Sequence, residues 1–177
     1  SARPVYFQYS NYWNIYHNSI NLNLATSNAQ YAALSITNTS NLRIVNNILA
    51  YTATTGTGLP LYTSTAQTAI NYNNYVNNAT SDLLYANGAT YTATNYINGG
   101  GYNANGFNAA SGFASTRNLF LTAANVKGDA TLGITTDIEG QLRQSPPDVG
   151  ADEYFGLMDI GVIAIDSPTT NTFCGGN

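Results

Sequence analysis

This chain of 177 residues has few charged side chains, 8% of the total, whereas 12% of its residues are aromatic, a combination that argues against a disordered segment. Its five basic residues and net charge of −4 provide no basic surface for nucleic acid or for an anionic membrane. The sequence contains no run of about 18 apolar residues, so no membrane span is predicted. We therefore expect one elongated domain whose surface is solvated by Asn, Thr, Ser and Tyr, as is typical of secreted or cell-surface β proteins.

A six-residue phrase, Ile-x-x-Asn-x-apolar, occurs three times in the first half of the chain, at residues 15–20, 44–49 and 70–75. The copies lie about 26 to 29 residues apart, within the period range of stacked repeat proteins. Because Asn tolerates the left-handed backbone region better than other residues with a side chain, each copy predicts a sharp bend between two short strands. Three strands and three bends per coil predict an all-β fold, the right-handed parallel β-helix, which is a solenoid.

The predicted strands follow one another closely along the first half of the chain. Period-2 alternation predicts half-buried strands within residues 5–24, and apolar pieces of strand length follow at 34–36, 42–44, 48–50, 59–62 and 69–70. The regularity loosens from 77 to 132, where glycines at 99–101 and 106–112 predict a long loop or an irregular final coil. Residues 118–121 predict one more strand. Since a solenoid needs a cap, the residues after the coils are expected to supply it.

Asn18, Asn47 and Asn73 occupy the same place in the three phrases. We expect them to stack as an internal amide ladder, in which each side chain satisfies backbone groups of the next coil; glycan-binding amides are the alternative. His17, the only histidine, precedes the first of them. Because no carboxylate or cysteine lies near it in the sequence to support catalysis, it is interpreted as a polar residue of the bend.

A candidate glycan-binding face lies beside the first phrase. If Ile15 points into the core, Trp13 does so too, and Tyr12, Asn14 and Tyr16 point outward. Aromatic rings flanked by amides suit sugars, which offer apolar faces and hydroxyl edges. The three outward residues are therefore the predicted glycan face, with ordinary surface aromatics as the alternative.

Acidic residues are absent from the predicted coils: residues 1–81 contain no Asp or Glu. Polysaccharide hydrolases need paired carboxylates, and calcium-dependent lyases need clustered oxygen ligands. These coils can build neither site from their own side chains. We therefore expect a protein that is not an enzyme and has no catalytic residues, with an active site on coils upstream of this chain as the alternative.

One acidic cluster follows the coils, with Arg143 among its members: Asp137, Glu139, Asp148, Asp152 and Glu153. Alternating acidic residues and glycines are one way to build a calcium site, for which Asp137, Glu139, Asp148 and Asp152 are the candidate ligands. The other interpretation, which we favour because of the arginine and the glycine turns, is a capping turn whose carboxylates accept backbone N–H groups and pair with Arg143. No cofactor is expected, and calcium is the one candidate ion.

The motif Asp137-Ile138-Glu139-Gly140-x-x-Arg143, followed by 147–154 (Pro-Asp-Val-Gly-Ala-Asp-Glu-Tyr), resembles the closing signature of right-handed parallel β-helix proteins of Bacteroidetes-type bacteria, also described as choice-of-anchor proteins. The phrase at 71–75 resembles a segment that precedes that signature. The resemblance covers about residues 10–154. It implies a large secreted cell-surface protein, often exported by a type IX system, with the β-helix and its C-terminal cap at residues 1–155.

Residues 159–168 resemble the first strand of an immunoglobulin-like adhesion module, which commonly follows the β-helix in such proteins. Residues 156–177 are therefore expected to be a linker and the first strand of a truncated module. Cys174, the only cysteine, cannot form an intrachain disulfide; we expect it to pair with a cysteine beyond Asn177, a free thiol being the alternative.

These expectations describe a non-catalytic extracellular adhesin or stalk segment of a large bacterial surface protein. Its expected partners are an extracellular or cell-surface polysaccharide and the adjoining domains of its own polypeptide, with no nucleic acid and no membrane insertion. Two alternatives stay open. One is the C-terminal part of a polysaccharide lyase or glycoside hydrolase, and the other is a structural unit of a surface filament that stacks through its coil edges.

Overall fold

The computed structural model describes residues 3–86, 88–92 and 104–156. Their secondary structure is a series of short strands joined by tight bends: β1 (Val5–Gln8), β2 (Asn14–Tyr16), β3 (Ser19–Leu22), β4 (Ala32–Thr37), β5 (Arg43–Val45), β6 (Ile48–Tyr51), β7 (Leu59–Thr63), β8 (Ala69–Asn71), β9 (Asn74–Asn77), β10 (Asp82–Ala86) and β11 (Ala89–Thr92). A 3-10 turn at Ala130–Leu132 is the sole helical element of the described ranges. No helix in that part of the chain is long and apolar enough to cross a membrane.

The strands form three sheets that run along the stack. Sheet A has the order β1-β4-β7-β10-β11, sheet B the order β2-β5-β8, and sheet C the order β3-β6-β9. All pairings are parallel except that of β10 with β11, which is an antiparallel hairpin at the end of sheet A. Each coil gives one strand to each sheet: β1–β3 form coil 1, β4–β6 coil 2 and β7–β9 coil 3. This β-solenoid of about three turns confirms the predicted fold class.

The core consists of ladders of like side chains that repeat from coil to coil. Ile15, Ile44 and Ile70 are aligned by the register of sheet B and are 6%, 0% and 3% exposed. A matching ladder of leucines in sheet A contains Leu34, Leu61 and Leu84. Full burial of such a side chain stabilises the fold by about 1.5–3 kcal/mol, so the repeated phrase specifies both the strand register and the core.

The strands predicted at 34–36, 48–50, 59–62 and 69–70 lie within β4, β6, β7 and β8, and the strand predicted at 42–44 is β5, displaced by one residue. The strand predicted at 118–121 is wrong. Only Leu121 pairs there, in an isolated bridge with Phe113. Side chains take the N–H groups that a ladder would need: Phe120 donates to Asn118 Oδ1 and Leu121 to Asp152 Oδ2.

Trp13, which is predicted to point inward, aligns with the fully buried Leu42 of coil 2, and its ring contacts Phe7, which packs against the core. Trp13 is nevertheless 55% exposed, so it is less covered than its place in the alternation suggests. Tyr12 adopts a left-handed conformation, with φ of 65°, and β2 begins only at Asn14.

Residues 104–156, here called the lateral segment, lie along the side of the stack. Phe107 continues the pairing of coil 3 by a parallel bridge to Asn74. Further along, the Gly150 N–H donates to the Asn46 carbonyl in coil 2, and the Ala151 N–H donates to Ser19 Oγ in coil 1. The outward-facing Ile48 of coil 2 is fully buried against Leu121 and Val149 of this segment. The segment thus covers sheet C across several coils.

Two of the predicted features lie outside the described residues. These are the triple glycine at 99–101 and the immunoglobulin-like strand at 159–168, together with Cys174. The glycine-rich stretch at 106–112 is irregular, as predicted, and Phe107 is its one paired residue in the described ranges.

Candidate functional site

The three phrase asparagines form a continuous row of side-chain hydrogen bonds through the coils. Asn47 Oδ1 accepts both the backbone N–H of Asn18 (2.9 Å) and its Nδ2 (3.0 Å). Asn73 Oδ1 accepts the same two groups from Asn47, both at 2.9 Å. Asn47 and Asn73 are fully buried, so these amides stabilise the bend between sheets B and C and are not available to a ligand.

The left-handed residue of each bend is the one before the ladder asparagine. His17, Asn46 and Tyr72 have φ of 52°, 60° and 51°. Only coil 2 therefore has an asparagine at the left-handed position, where asparagine is tolerated well. Coils 1 and 3 place larger side chains at that strained position. The ladder side chain, by satisfying buried backbone groups, is the feature shared by all three bends.

Arg143 is the centre of a buried network in the lateral segment. Its side chain is 3% exposed, and it donates hydrogen bonds to the carbonyl oxygens of Thr136, Asp148, Gly150 and Ala151. It also forms an ion pair with Glu153, at 3.4 Å. Burial lowers the pKa of the guanidinium, while the nearby carboxylate of Glu153 opposes that effect. Arg143 thus ties together the two halves of the closing motif.

The buried carboxylates of this network accept backbone N–H groups. Asp137 accepts from Glu139, Gln141 and Glu153. Asp148 Oδ2 accepts from Tyr154, while its Oδ1 lies 2.8 Å from Lys127 Nζ. Asp152 accepts from Leu121 at 2.6 Å. Each of these carboxylates therefore has a structural role in holding the lateral segment together.

Three of the four candidate calcium ligands come together. Asp137, Glu139 and Asp152 each have an oxygen within 4.8 Å of the others, whereas Asp148 is paired with Lys127. Calcium requires six to eight oxygen ligands, and the two buried members already accept backbone N–H groups. Calcium binding by these residues stays the alternative to the favoured capping role.

His17 lies at the junction between the coils and the lateral segment. Asn46 Oδ1 accepts the Asp129 N–H (2.8 Å), and Asn46 Nδ2 donates to the Asp129 carbonyl (2.9 Å). The same Nδ2 lies 3.0 Å from His17 Nε2. Because an amide nitrogen only donates, Nε2 is the acceptor, and the neutral imidazole carries its proton on Nδ1. A Cβ at Gly128 would lie 2.5 Å from Asn46 Oδ1, so only glycine fits beside this junction.

The charge state of His17 follows from that position. Burial, helped by the positive charge of Arg143, lowers the pKa of His17 from 6.5 to about 4. The ring is therefore neutral at pH 7. Its Nε2 is occupied by Asn46, which leaves no basic nitrogen to abstract a proton, and His17 acts here as a buried polar residue of the bend.

A cavity of about 340 Å³ opens beside the junction, and His17, Asp129, Leu142 and Arg143 are among its lining residues. Its charged groups already have partners: Asp129 Oδ1 accepts from the backbone and hydroxyl of Thr131, and Arg143 binds four carbonyls. The other lining residues are mixed, with Thr135, Gln144 and Ser145 beside apolar side chains, so the cavity offers a ligand both polar and apolar surface.

The most exposed aromatic side chains of the coils lie on one turn, residues 9–13, here called the aromatic turn. Tyr9, Tyr12 and Trp13 are 76%, 82% and 55% exposed. Tyr9 and Tyr12 both adopt the left-handed conformation, with φ of 54° and 65°, which is costly for a bulky residue. Trp13 is steadied by a tilted contact with Phe7, their ring centroids being 6.1 Å apart.

Coil 2 has the same turn with different side chains. The pairings of Gln8 with Thr37 and of Asn14 with Arg43 align Tyr9 with Asn38 and Tyr12 with Asn41, which have φ of 49° and 62°. Trp13 aligns with Leu42, which is fully buried. Coil 2 thus uses the residue type best suited to the left-handed region, and coil 1 places aromatic rings on the same backbone.

The aromatic turn is fixed to coil 2 by hydrogen bonds. The Ser10 N–H donates to Thr39 Oγ1 (3.1 Å), and the Ser40 N–H donates to Asn11 Oδ1 (2.9 Å). The Arg43 N–H donates to the Trp13 carbonyl (3.0 Å). The backbone of the turn is therefore held at several points while its rings project into solvent.

The predicted glycan face lies next to this turn. Tyr12 and Asn14 are exposed, and Tyr16 is half-buried. The Tyr16 hydroxyl donates to Asn14 Oδ1 (3.2 Å), and the Arg43 guanidinium lies 5.6 Å from the centre of the Tyr16 ring. Reasoning from the sequence missed Tyr9, Trp13 and Arg43 as members of this surface. Aligning coil 1 with coil 2 through the repeated phrase would have singled out Tyr9, which that alignment sets against Asn38, whereas the contact of Arg43 with the Tyr16 ring has no signal in the sequence.

The chain matches no protein-family model, no curated protein and no solved structure. The account of its function therefore depends on the geometry described above.

Proposed function

We propose that this chain is a non-catalytic, glycan-binding segment of an extracellular adhesin or stalk. The observation that carries the proposal is the pair of exposed tyrosines, Tyr9 and Tyr12, held in the left-handed region. Backbone strain of this kind costs about 1–3 kcal/mol per residue and is concentrated at functional sites. Coil 2 shows that asparagine meets the structural need of the same turn at lower cost.

The chemistry of the turn suits a sugar. Tyrosine and tryptophan present large rigid surfaces that lose little conformational entropy on binding, and the apolar faces of sugar rings can stack on them. Asn14 and its neighbours supply amides for hydroxyl groups, as aromatic sites with a few polar groups commonly do. The fixed backbone of the turn means that the rings are already in place before binding.

The non-catalytic part of the proposal is supported by the distribution of acids. Residues 1–81 contain no Asp or Glu, so no carboxylate pair of the coils lies beside the aromatic turn to serve as acid and base. The buried acids of the closing motif are engaged by backbone N–H groups, Lys127 and Arg143. A sugar bound at the turn would therefore be retained and not cleaved.

A polysaccharide array that covers neutral and acidic chains, read for both retention and release of new sugar ends, tests the proposal. We expect retention without release. The matched variant Tyr9→Asn/Tyr12→Asn, which copies coil 2, should lose at least tenfold in affinity, or about 1.4 kcal/mol, since buried aromatic anchors dominate binding. If no polysaccharide on the array is retained, or if the variant retains the same polysaccharides equally well, the proposal of glycan binding is overturned. Release of sugar ends would overturn the non-catalytic claim.

A further inference from the structure

Arg43 is an exposed cation that belongs to the same surface as the proposed glycan site. It lies in β5, directly paired in register with Asn14 of β2. Its guanidinium lies 5.6 Å from the centre of the Tyr16 ring, and the Tyr16 hydroxyl is held by Asn14. Stacking on an aromatic ring restrains the guanidinium. Asn14, Tyr16 and Arg43 are therefore one arranged set of side chains, on adjacent coils.

Arg43 has no acidic partner in the described ranges. The ion pairs there involve Lys127 and Arg143. The first 81 residues contain two arginines, Arg3 and Arg43, and no acid. The coils are thus positively charged although the whole chain has a net charge of −4. A guanidinium that is stacked and exposed, with its N–H donors directed to no described carboxylate, is suited to an external anion.

We propose that the glycan recognised by this surface is anionic, with a carboxylate or sulfate group bound by Arg43 while its sugar rings stack on the aromatic turn. This inference rests on the proposed glycan binding and narrows its substrate class. The planar guanidinium offers two parallel N–H donors that match the two oxygens of a carboxylate or sulfate. The amide of Asn14 lies one strand away and can take a neighbouring hydroxyl.

The test compares charged and neutral forms of the same chain. Titrations of the full chain would use oligogalacturonate against its methyl ester, and a sulfated galactan oligosaccharide against its desulfated form. The variant is Arg43→Gln, and the control is Arg117→Gln, which removes an equal charge from an exposed site on the lateral segment. Each pair differs only at its anionic group, which is esterified in one pair and removed in the other, so the two pairs also distinguish carboxylate from sulfate recognition.

We expect at least one charged form to bind roughly fivefold more tightly than its neutral form, the size of an exposed ion pair, with an advantage that fades as salt is added. Arg43→Gln should abolish that advantage, so that charged and neutral forms bind the variant equally, whereas Arg117→Gln should preserve it. Equal binding of charged and neutral forms, or equal effects of the two variants, would overturn the inference while glycan binding stands. No binding of any form to wild-type protein would overturn both.

Discussion

The coils and the lateral segment are stabilised in opposite ways. In the coils the same contact recurs, as in the isoleucine ladder of sheet B and the asparagine ladder beside it, and residues 1–81 contain only two charged side chains. In the lateral segment the contacts do not recur, and the central ones involve buried charge: the side chains of Asp148 and Glu153 are 0% exposed and that of Arg143 is 3% exposed. Repeated contacts spread stability along a solenoid, whereas a single charge network can be broken by one substitution.

The largest loss of unfolding free energy is expected when the charge network around Arg143 is broken. Arg143→Met removes the guanidinium that contacts Glu153 and four carbonyl oxygens, and removing one member of a buried ion pair costs about 3–5 kcal/mol. Chemical denaturation measures the loss, and hydrogen exchange should rise in residues 104–156 more than in the coil ladders. The control is Arg117→Met, at an exposed site, which should stay within about 0.5 kcal/mol. Similar losses in the two variants would contradict the difference between the regions.

A graded effect is expected along the asparagine ladder. Asn47 is bonded on both sides, to Asn18 and Asn73, so Asn47→Ala leaves several buried groups unsatisfied and should cost roughly 2–3 kcal/mol. Asn18 is half-buried and is bonded to one ladder neighbour, so Asn18→Ala should cost about 1 kcal/mol. Equal losses of unfolding free energy in the two variants would contradict the idea that a central ladder residue stabilises the fold more than a terminal one.

A smaller, pH-dependent effect is expected at the junction of the two regions. The folded pKa of His17 is about 4 against 6.5 for the unfolded chain, so its neutral form contributes stability above pH 6.5 that is lost as the pH falls towards 4. His17→Asn, which copies the coil-2 bend residue Asn46, should flatten the decline of unfolding free energy over that range. The control is Tyr72→Asn at the same bend position of coil 3. The account of the junction fails if His17→Asn and wild type decline in parallel.

The coils could be predicted from the sequence because their contacts recur with a regular period along the chain. The phrase around Ile15, Ile44 and Ile70 fixed the period, the register and the amide row together. Within each coil the interior side chains alternate, so five of the six strands of coils 2 and 3 could be located to within two residues. Alternation predicts the direction of a side chain and not how much of it is covered, so the 55% exposure of Trp13 could not be predicted.

The course of the lateral segment could not be predicted, because its contacts join residues far apart in the chain and follow no period. Asn46 binds Asp129, 83 residues away, and Leu121 gives its N–H to the Asp152 side chain. Such pairings produce no periodic pattern in the hydropathy of the sequence. Only the closing motif around Arg143 was conspicuous, and it indicated a capping turn without showing which coils the turn would cover.

Two turns within the coils differ in their side chains although their backbones match. The aromatic turn of coil 1 and the Asn38–Asn41 turn of coil 2 have the same left-handed positions and different side chains. Tyr9→Asn/Tyr12→Asn should therefore leave the unfolding free energy unchanged or raise it by up to about 1 kcal/mol, since strain is relieved at both sites. Denaturant unfolding measures this, and a clear loss of stability would mean that the tyrosines have a structural role.

The most direct test of the account measures binding and stability together on that variant. A glycan retained by the wild-type chain would be titrated into both proteins at one pH and ionic strength, and their unfolding free energies measured in the same buffer. The account predicts a loss of at least tenfold in affinity with no loss of stability. Unchanged affinity in a variant that is equally stable would contradict the claim that coil 1 presents these rings to bind sugar.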